Sequence, residues 1–184
     1  MPSYHCPLNY VMRQKENISK NTADHHSEPK RMQMSNEEFL PFVVEQLQSH
    51  PHKTVTLPLR GRSMRPFLED NRDKALLQYS AQYHVGDVVL AEIAPGHFVL
   101  HRVIAINADK VTLRGDGNLG IEQCRMADLR ALAIGFFRKG RTKADMTSGP
   151  KWKIYSAVWT RLFPVRRYLL FALHPHLPSC LKRK

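Results

Sequence analysis

Three polar residues, Ser63, His101 and Asp116, are of the types that together can transfer protons. A serine hydroxyl is a poor nucleophile at neutral pH and needs a neighbouring base to remove its proton. An imidazole can act as that base, and a carboxylate can fix its tautomer and stabilise the imidazolium that forms. By spacing alone the signal is weak, because a chain with 10 His and 16 acidic residues contains many such triples by chance.

The segments around these residues are more specific. They are Gly-Arg-Ser-Met-Arg-Pro around Ser63, Gly-Asp-Val-Val at residues 86–89, His-Arg-Val-Ile from His101, and Arg-Gly-Asp-Gly-Asn around Asp116. In this order, over about residues 54–138, they closely resemble the signal peptidase / LexA-like serine peptidase superfamily. The chain is most similar to the branch that uses histidine as the base, as in the endoplasmic-reticulum and SipW-type signal peptidases.

The resemblance implies a serine endopeptidase that cleaves a peptide or the leader of a precursor protein. It implies that Ser63 is the nucleophile, that His101 is the general base and that Asp116 is the acidic partner. It also implies that the backbone N–H of Ser63 contributes to an oxyanion hole. The expected partner is therefore a peptide or precursor-protein substrate.

Two other functions stay open. One is a LexA-like self-cleaving regulator, but that branch uses lysine as base and carries an N-terminal DNA-binding domain. Here the base position is His101, and the N-terminal arm has no room for a helix-turn-helix domain. The other is a catalytically silent binding module on a membrane surface.

Arg62 and Arg65 flank Ser63 closely. Their guanidinium groups would favour negative charge that develops nearby, including an oxyanion. Alternatively they point to solvent, which is the commoner behaviour of long charged side chains and the interpretation favoured here.

The pattern of apolar residues predicts a mainly β domain with helices at its ends. Ser35 and Glu38 have the spacing of a capping box, which predicts a helix that ends near Ser49. Short strands separated by turn signals are expected at residues 54–57, 75–79, 87–93, 98–106, 111–113 and 131–134. This succession indicates antiparallel pairing, and the family resemblance implies coiled antiparallel sheets of the LexA/signal-peptidase type. Alternation along 98–106 places His101 and Arg102 on opposite faces.

Positive charge is concentrated in the C-terminal part of the chain. The net charge is +12, yet residues 138–184 contain 12 Lys/Arg and a single acid, whereas residues 1–137 contain 16 Lys/Arg and 15 Asp/Glu. We expect a disordered N-terminal arm over 1–33, a peptidase domain over 34–141 and a basic amphipathic extension over 142–184.

Within the extension, Tyr155, Val158, Trp159 and Leu162 recur at helical spacing among basic residues. A basic, aromatic-rich helix suits an anionic membrane surface or a groove on a protein partner, and residues 151–173 are the predicted contact. Packing of these helices on the domain itself is the next alternative. Nucleic acid is the least favoured partner, because no recognised binding motif accompanies the charge.

The three cysteines, Cys6, Cys124 and Cys180, have neither metal-ligand spacing nor the pattern of a disulfide framework. We therefore expect unpaired thiols in a reducing compartment, with no metal and no cofactor. No run reaches the ~18 apolar residues of a membrane-spanning helix, and the N-terminus lacks the apolar core of a signal peptide. The expected location is the cytoplasm, with peripheral attachment at the inner face of the membrane as an alternative.

Overall fold

A mainly antiparallel β architecture is seen in the computed structural model, which describes Leu8–Tyr10, Met32–Met34 and residues 36–173. The described helices are α1 (Asn36–Ser49), α2 (Pro150–Arg161) and α3 (Arg166–Leu173). The described strands are β1 (Leu8–Tyr10), β2 (Met32–Met34), β3 (Thr54–Pro58), β4 (Lys74–Gln78), β5 (Val88–Ala94), β6 (His97–Asn107), β7 (Lys110–Arg114), β8 (Glu122–Arg125), β9 (Leu129–Phe137) and β10 (Asp145–Met146). The predicted fold class is confirmed at the level of a mainly β protein with short helices.

The main sheet has 8 strands in the order β3-β4-β9-β5-β6-β7-β8, with β10 paired to β9. Every pairing in it is antiparallel. Strand β6 is the longest, with 11 residues, and lies between β5 and β7. Its register places His101 opposite Val89 and Arg102 opposite Arg114.

Two apolar clusters cover different faces of this sheet. The first joins α1 and α2 to the sheet and includes Val43, Leu90 and Phe136. The second includes Val89 and its neighbours on β6 and β7. Because Val89 and Leu90 are consecutive in one strand, the clusters lie on opposite faces of β5. Each fully buried side chain of this kind contributes roughly 1.5–3 kcal/mol of hydrophobic stabilisation.

Strands β8 and β10 were not predicted. The segment Glu-Gln-Cys-Arg of β8 shows no apolar alternation, and only Cys124 within it is nonpolar. It is nevertheless a strand because the edge of β7 supplies its hydrogen-bonding partner, with Leu113 opposite Glu122. This omission matters because β8 carries a residue of the candidate site.

The aromatic face of the C-terminal helices packs on the β domain. Trp152 is 4% exposed and its ring centroid lies 4.9 Å from that of Phe67 and 4.7 Å from that of Phe136. Trp159 is buried as well. Self-packing, the second-ranked alternative, therefore describes this face, whereas the outward face keeps Ile154 and Val158 exposed. No helix in the described residues is both long and apolar enough to cross a bilayer.

The predicted disordered arm over residues 1–33 can be compared with the structure only at residues 8–10 and 32–33, which the structure describes. Leu8–Tyr10 and Met32–Met34 form an antiparallel ladder, with Leu8 opposite Met34 and Tyr10 opposite Met32. Both segments alternate apolar and polar residues, the period of a strand. The remainder of that prediction lies outside the described residues.

Candidate active site

Ser63 lies in a turn between β3 and β4 that is anchored at several points. Gly61 has φ of 83°, a conformation that β-carbons disfavour, and its N–H donates to the Asp70 carboxylate at 3.0 Å. Met64 is 5% exposed and inserts into the core immediately after the serine. The turn therefore holds Ser63 half-buried beside an apolar anchor.

A second loop, which begins directly after β7, packs tightly on the serine turn. The N–H of Gly117 donates to the carbonyl oxygen of Ser63 at 2.6 Å. A β-carbon at Gly115 would lie 2.4 Å from that same oxygen, and one at Gly117 would lie 2.6 Å from the carbonyl of Arg62. Only glycine allows this approach, which explains why the motif around Asp116 has glycine on both sides.

His101 reaches the same place from β6. The β-carbon position at Gly115 is 3.0 Å from His101 Nε2 and 2.4 Å from the Ser63 carbonyl oxygen, so these two atoms are at most 5.4 Å apart. No hydrogen bond joins the two side chains, both of which are described. Catalytic hydrogen bonds are often long in unliganded sites and shorten when substrate binds.

Glu122 holds the other nitrogen of the His101 ring. The ring Nδ1 is hydrogen-bonded to the Glu122 carboxylate. When Nδ1 carries the proton and donates it, Nε2 presents its lone pair near the serine turn. Burial lowers the pKa of His101, and the charge and hydrogen bond of Glu122 and the charge of Asp116 oppose that shift only in part. The net lowering favours the neutral imidazole that a general base requires.

Asp116, the acidic partner that the family resemblance implies, binds Arg102, and no hydrogen bond joins the described side chains of Asp116 and His101. The Arg102 Nε and Nη2 donate to its two carboxylate oxygens at 2.9 Å and 2.7 Å, and both side chains are almost fully buried. The Tyr155 hydroxyl donates to the same carboxylate at 3.0 Å. Strand alternation points the Arg102 side chain away from that of His101. Its guanidinium then binds the Asp116 carboxylate through two parallel hydrogen bonds.

Sequence reasoning did not name Glu122, the carboxylate that is hydrogen-bonded to the His101 ring. Glu122 was missed because its strand carries no apolar alternation. The available signal was a carboxylate four residues beyond Asn118 in a segment long enough to fold back on β7.

Ser63 and His101 border one cavity of about 340 Å³. Its walls are mainly apolar and come from α1, β3, β4, β5, β6 and the serine turn. Leu40, Leu57 and Phe98 are among the wall residues. Such a cavity suits apolar side chains of an extended peptide whose backbone passes the serine.

The donors around Ser63 also bear on the predicted oxyanion hole. Within the described part of the chain, the backbone N–H of Ser63 makes no hydrogen bond, so it is available to an incoming oxygen. Arg62 is exposed to solvent, as favoured from sequence, and Arg65 is paired with Glu69. The backbone N–H of Ser63 can therefore donate to an oxyanion without help from Arg62 or Arg65.

No protein-family model matches the chain, and none of the curated proteins matches it.

Among the described residues, no group of three or more His, Cys, Asp or Glu side chains is placed to hold a metal ion.

Proposed function

We propose that this protein is a serine hydrolase whose nucleophile is Ser63 and whose general base is His101. More particularly, we propose an endopeptidase of the signal-peptidase type that cleaves a peptide or precursor-protein leader. One observation carries the proposal: Ser63 and a Glu122-bound His101 border the same apolar cavity. The motif resemblance supports the narrower statement.

The reaction follows from the chemistry of these groups. Ser63 Oγ attacks the peptide carbonyl carbon while His101 Nε2 accepts the hydroxyl proton, and Glu122 stabilises the imidazolium. The Ser63 N–H donates to the oxygen on which negative charge develops. His101 then gives its proton to the leaving amine, and the C–N bond breaks to leave an acyl-serine ester. Water, deprotonated by His101, hydrolyses that ester and restores the serine.

The apolar cavity supports an extended peptide as the substrate, because its walls offer surface for side chains and few polar contacts. A precursor made in the same compartment as the enzyme is the substrate that we propose. This choice follows the sequence-based expectation of a cytoplasmic or peripheral membrane location.

The experiment is cleavage of a random peptide library, read by mass spectrometry. The wild-type chain should produce fragments, and Ser63→Ala and His101→Ala should each abolish them while circular dichroism shows an intact fold. Matched controls are Ser80→Ala, a half-buried serine that does not line the cavity, and His97→Ala, an exposed histidine that does not line it either. Both controls should cleave like the wild type.

Cleavage that persists in both Ser63→Ala and His101→Ala would refute the assignment. A fluorophosphonate probe gives a check that needs no substrate, since it should label Ser63 in the wild type and not in His101→Ala. Fragmentation of the purified chain by itself would instead support the self-cleaving alternative.

A further inference from the structure

A second cavity, of about 220 Å³, lies between the end of β7 and the C-terminal helices. We call it the arginine cavity. Its lining includes three arginines, Arg102, Arg114 and Arg166, and a single acid, Asp116. It shares none of its lining residues with the cavity that contains Ser63.

The positive charge of this cavity is only partly compensated. Arg102 and Asp116 neutralise each other through their two short hydrogen bonds, and Arg102 also donates to the Gly86 carbonyl at 2.8 Å. Arg166 Nη2 donates to the backbone carbonyl of Asp116 and lies 3.5 Å from its carboxylate, which Arg102 already binds. Arg114 forms no ion pair with any residue in the described part of the chain. Two guanidinium charges therefore remain for one carboxylate that is already engaged.

The two remaining arginines also have unused donors. The Nε atoms of Arg114 and Arg166 are buried and have no hydrogen-bond partner. The Arg166 side chain is only 5% exposed, and a buried polar atom of this kind normally has a hydrogen-bond partner. Burial lowers the pKa of both side chains; for Arg166 the charge of Asp116 opposes this shift and the charge of Arg114 adds to it.

Aromatic rings hold both guanidinium planes. The Arg114 guanidinium carbon lies 4.0 Å from the ring centroid of Phe163, and that of Arg166 lies 5.1 Å from the ring of Trp159. Stacking of this kind fixes the direction of the N–H groups before any ligand arrives. Contacts within the protein therefore position both guanidinium groups.

We propose that the arginine cavity binds a phosphoryl group, or an oxyanion of the same tetrahedral shape, through Arg114 and Arg166. A guanidinium presents Nε–H and Nη–H as a fork that matches two oxygens of such a group. The volume is below the roughly 300–1,000 Å³ of sites for drug-sized ligands, so it accommodates the group alone. The group belongs either to free phosphate or to the headgroup of an anionic phospholipid.

The first test is calorimetric titration of the full chain with inorganic phosphate, at an ionic strength held constant with chloride. The wild type should show saturable binding, and Arg114→Gln should weaken it at least about tenfold, the loss expected for one charge-assisted contact. The control is Arg161→Gln, which removes an equal charge from an exposed position on α2 and should bind like the wild type. Arg114→Lys keeps the charge but loses the fork, and it should bind more weakly than the wild type.

The second test uses vesicles of phosphatidylcholine with and without phosphatidic acid. If the group belongs to a lipid, co-sedimentation should require phosphatidic acid and should fall in Arg114→Gln but not in Arg161→Gln. If it is free phosphate, the titration should saturate and the vesicles should show no Arg114-dependent binding.

Two outcomes overturn the proposal. One is equal weakening by Arg114→Gln and Arg161→Gln in whichever assay shows binding, because this indicates unspecific surface charge. The other is an absence of saturable binding in both assays. Neither readout depends on peptide cleavage, so the proposed peptidase function and this site fail separately.

Discussion

Replacing Glu122 by glutamine tests the role of the carboxylate at His101, which was not predicted from the sequence. The substitution keeps the shape of the side chain and removes the charge that faces His101 Nδ1. When the new amide donates its N–H to Nδ1, the ring must carry its own proton on Nε2. In that tautomer His101 cannot accept the proton of Ser63.

The size of the effect follows from the contact that is lost. A hydrogen bond to a charged group contributes about 1.5–3 kcal/mol, which corresponds to a fall in kcat/KM of about 10- to 150-fold. The equivalent loss in a serine protease with a buried aspartate is about 10⁴-fold in kcat. Glu122 is 33% exposed, so solvent screens its charge and the smaller range applies.

The pH dependence should change in a defined direction. The charge and hydrogen bond of Glu122 raise the pKa of His101 against the larger effect of burial. Without that charge the pKa should fall further, and the acid limb of kcat/KM should move to lower pH. Slower cleavage at the optimum is thus accompanied by activity that persists to more acid pH.

The assay measures kcat/KM against pH on a peptide identified by the library screen, together with NMR titration of the His101 ring. The control is Glu92→Gln, which removes a carboxylate of similar exposure (24%) that pairs with Arg130 away from the site. An unchanged rate together with an unmoved acid limb in Glu122→Gln would refute the reasoning. A shift seen only in Asp116→Asn would restore Asp116 as the partner.

Three further outcomes are expected. Gly115→Ala should lower the free energy of unfolding in urea by about 1–3 kcal/mol, because its β-carbon overlaps the carbonyl of the serine turn, whereas Gly120→Ala has open space around it and should be near neutral. Asp116→Asn leaves the buried Arg102 uncompensated and should cost about 3–5 kcal/mol by urea unfolding; a loss below about 1 kcal/mol would contradict the buried pairing. Burial lowers the pKa of His101 in the folded protein, so the unfolded chain binds more protons than the folded one below about pH 6.5. The free energy of unfolding should therefore fall with decreasing pH more steeply in the wild type than in His101→Gln. Equal slopes in thermal melts at several pH values would count against a lowered pKa.

The strands with alternating apolar and polar residues could be predicted from sequence, because the apolar positions are the ones that become buried. Strand β6 shows this most clearly, since alternation correctly placed His101 and Arg102 on different faces. The first helix followed from the spacing of Phe39, Val43 and Leu47, all of which are buried, whereas the predicted cap residue Ser35 lies outside the described residues. In each case the signal is local, within one element.

What could not be predicted depends on contacts between distant segments. The identity of the acid at His101 depends on β8 folding back on β7, and nothing in the composition of β8 requires a strand. The Arg102–Asp116 pair joins residues 14 apart that each have several potential partners, so geometry alone selects between them. The buried position of Trp152 was the lesser-ranked alternative because a basic amphipathic helix has the same pattern on a membrane as on its own domain.

His101 and Arg102 are consecutive in β6, so one strand contacts both the serine turn and α2. His101 faces the serine turn, and the next residue, Arg102, faces α2, where its Nη1 also donates to Ser156 at 2.5 Å. Asp116 accepts from Arg102 and Tyr155 and belongs to the same loop as the glycines that pack on Ser63. Helix α2 therefore supports the position of that loop through a buried charge, although none of its residues borders the cavity of Ser63. The basic C-terminal segment is in this sense part of the candidate active site, because the loop that receives Ser63 and His101 is fixed between the sheet and α2.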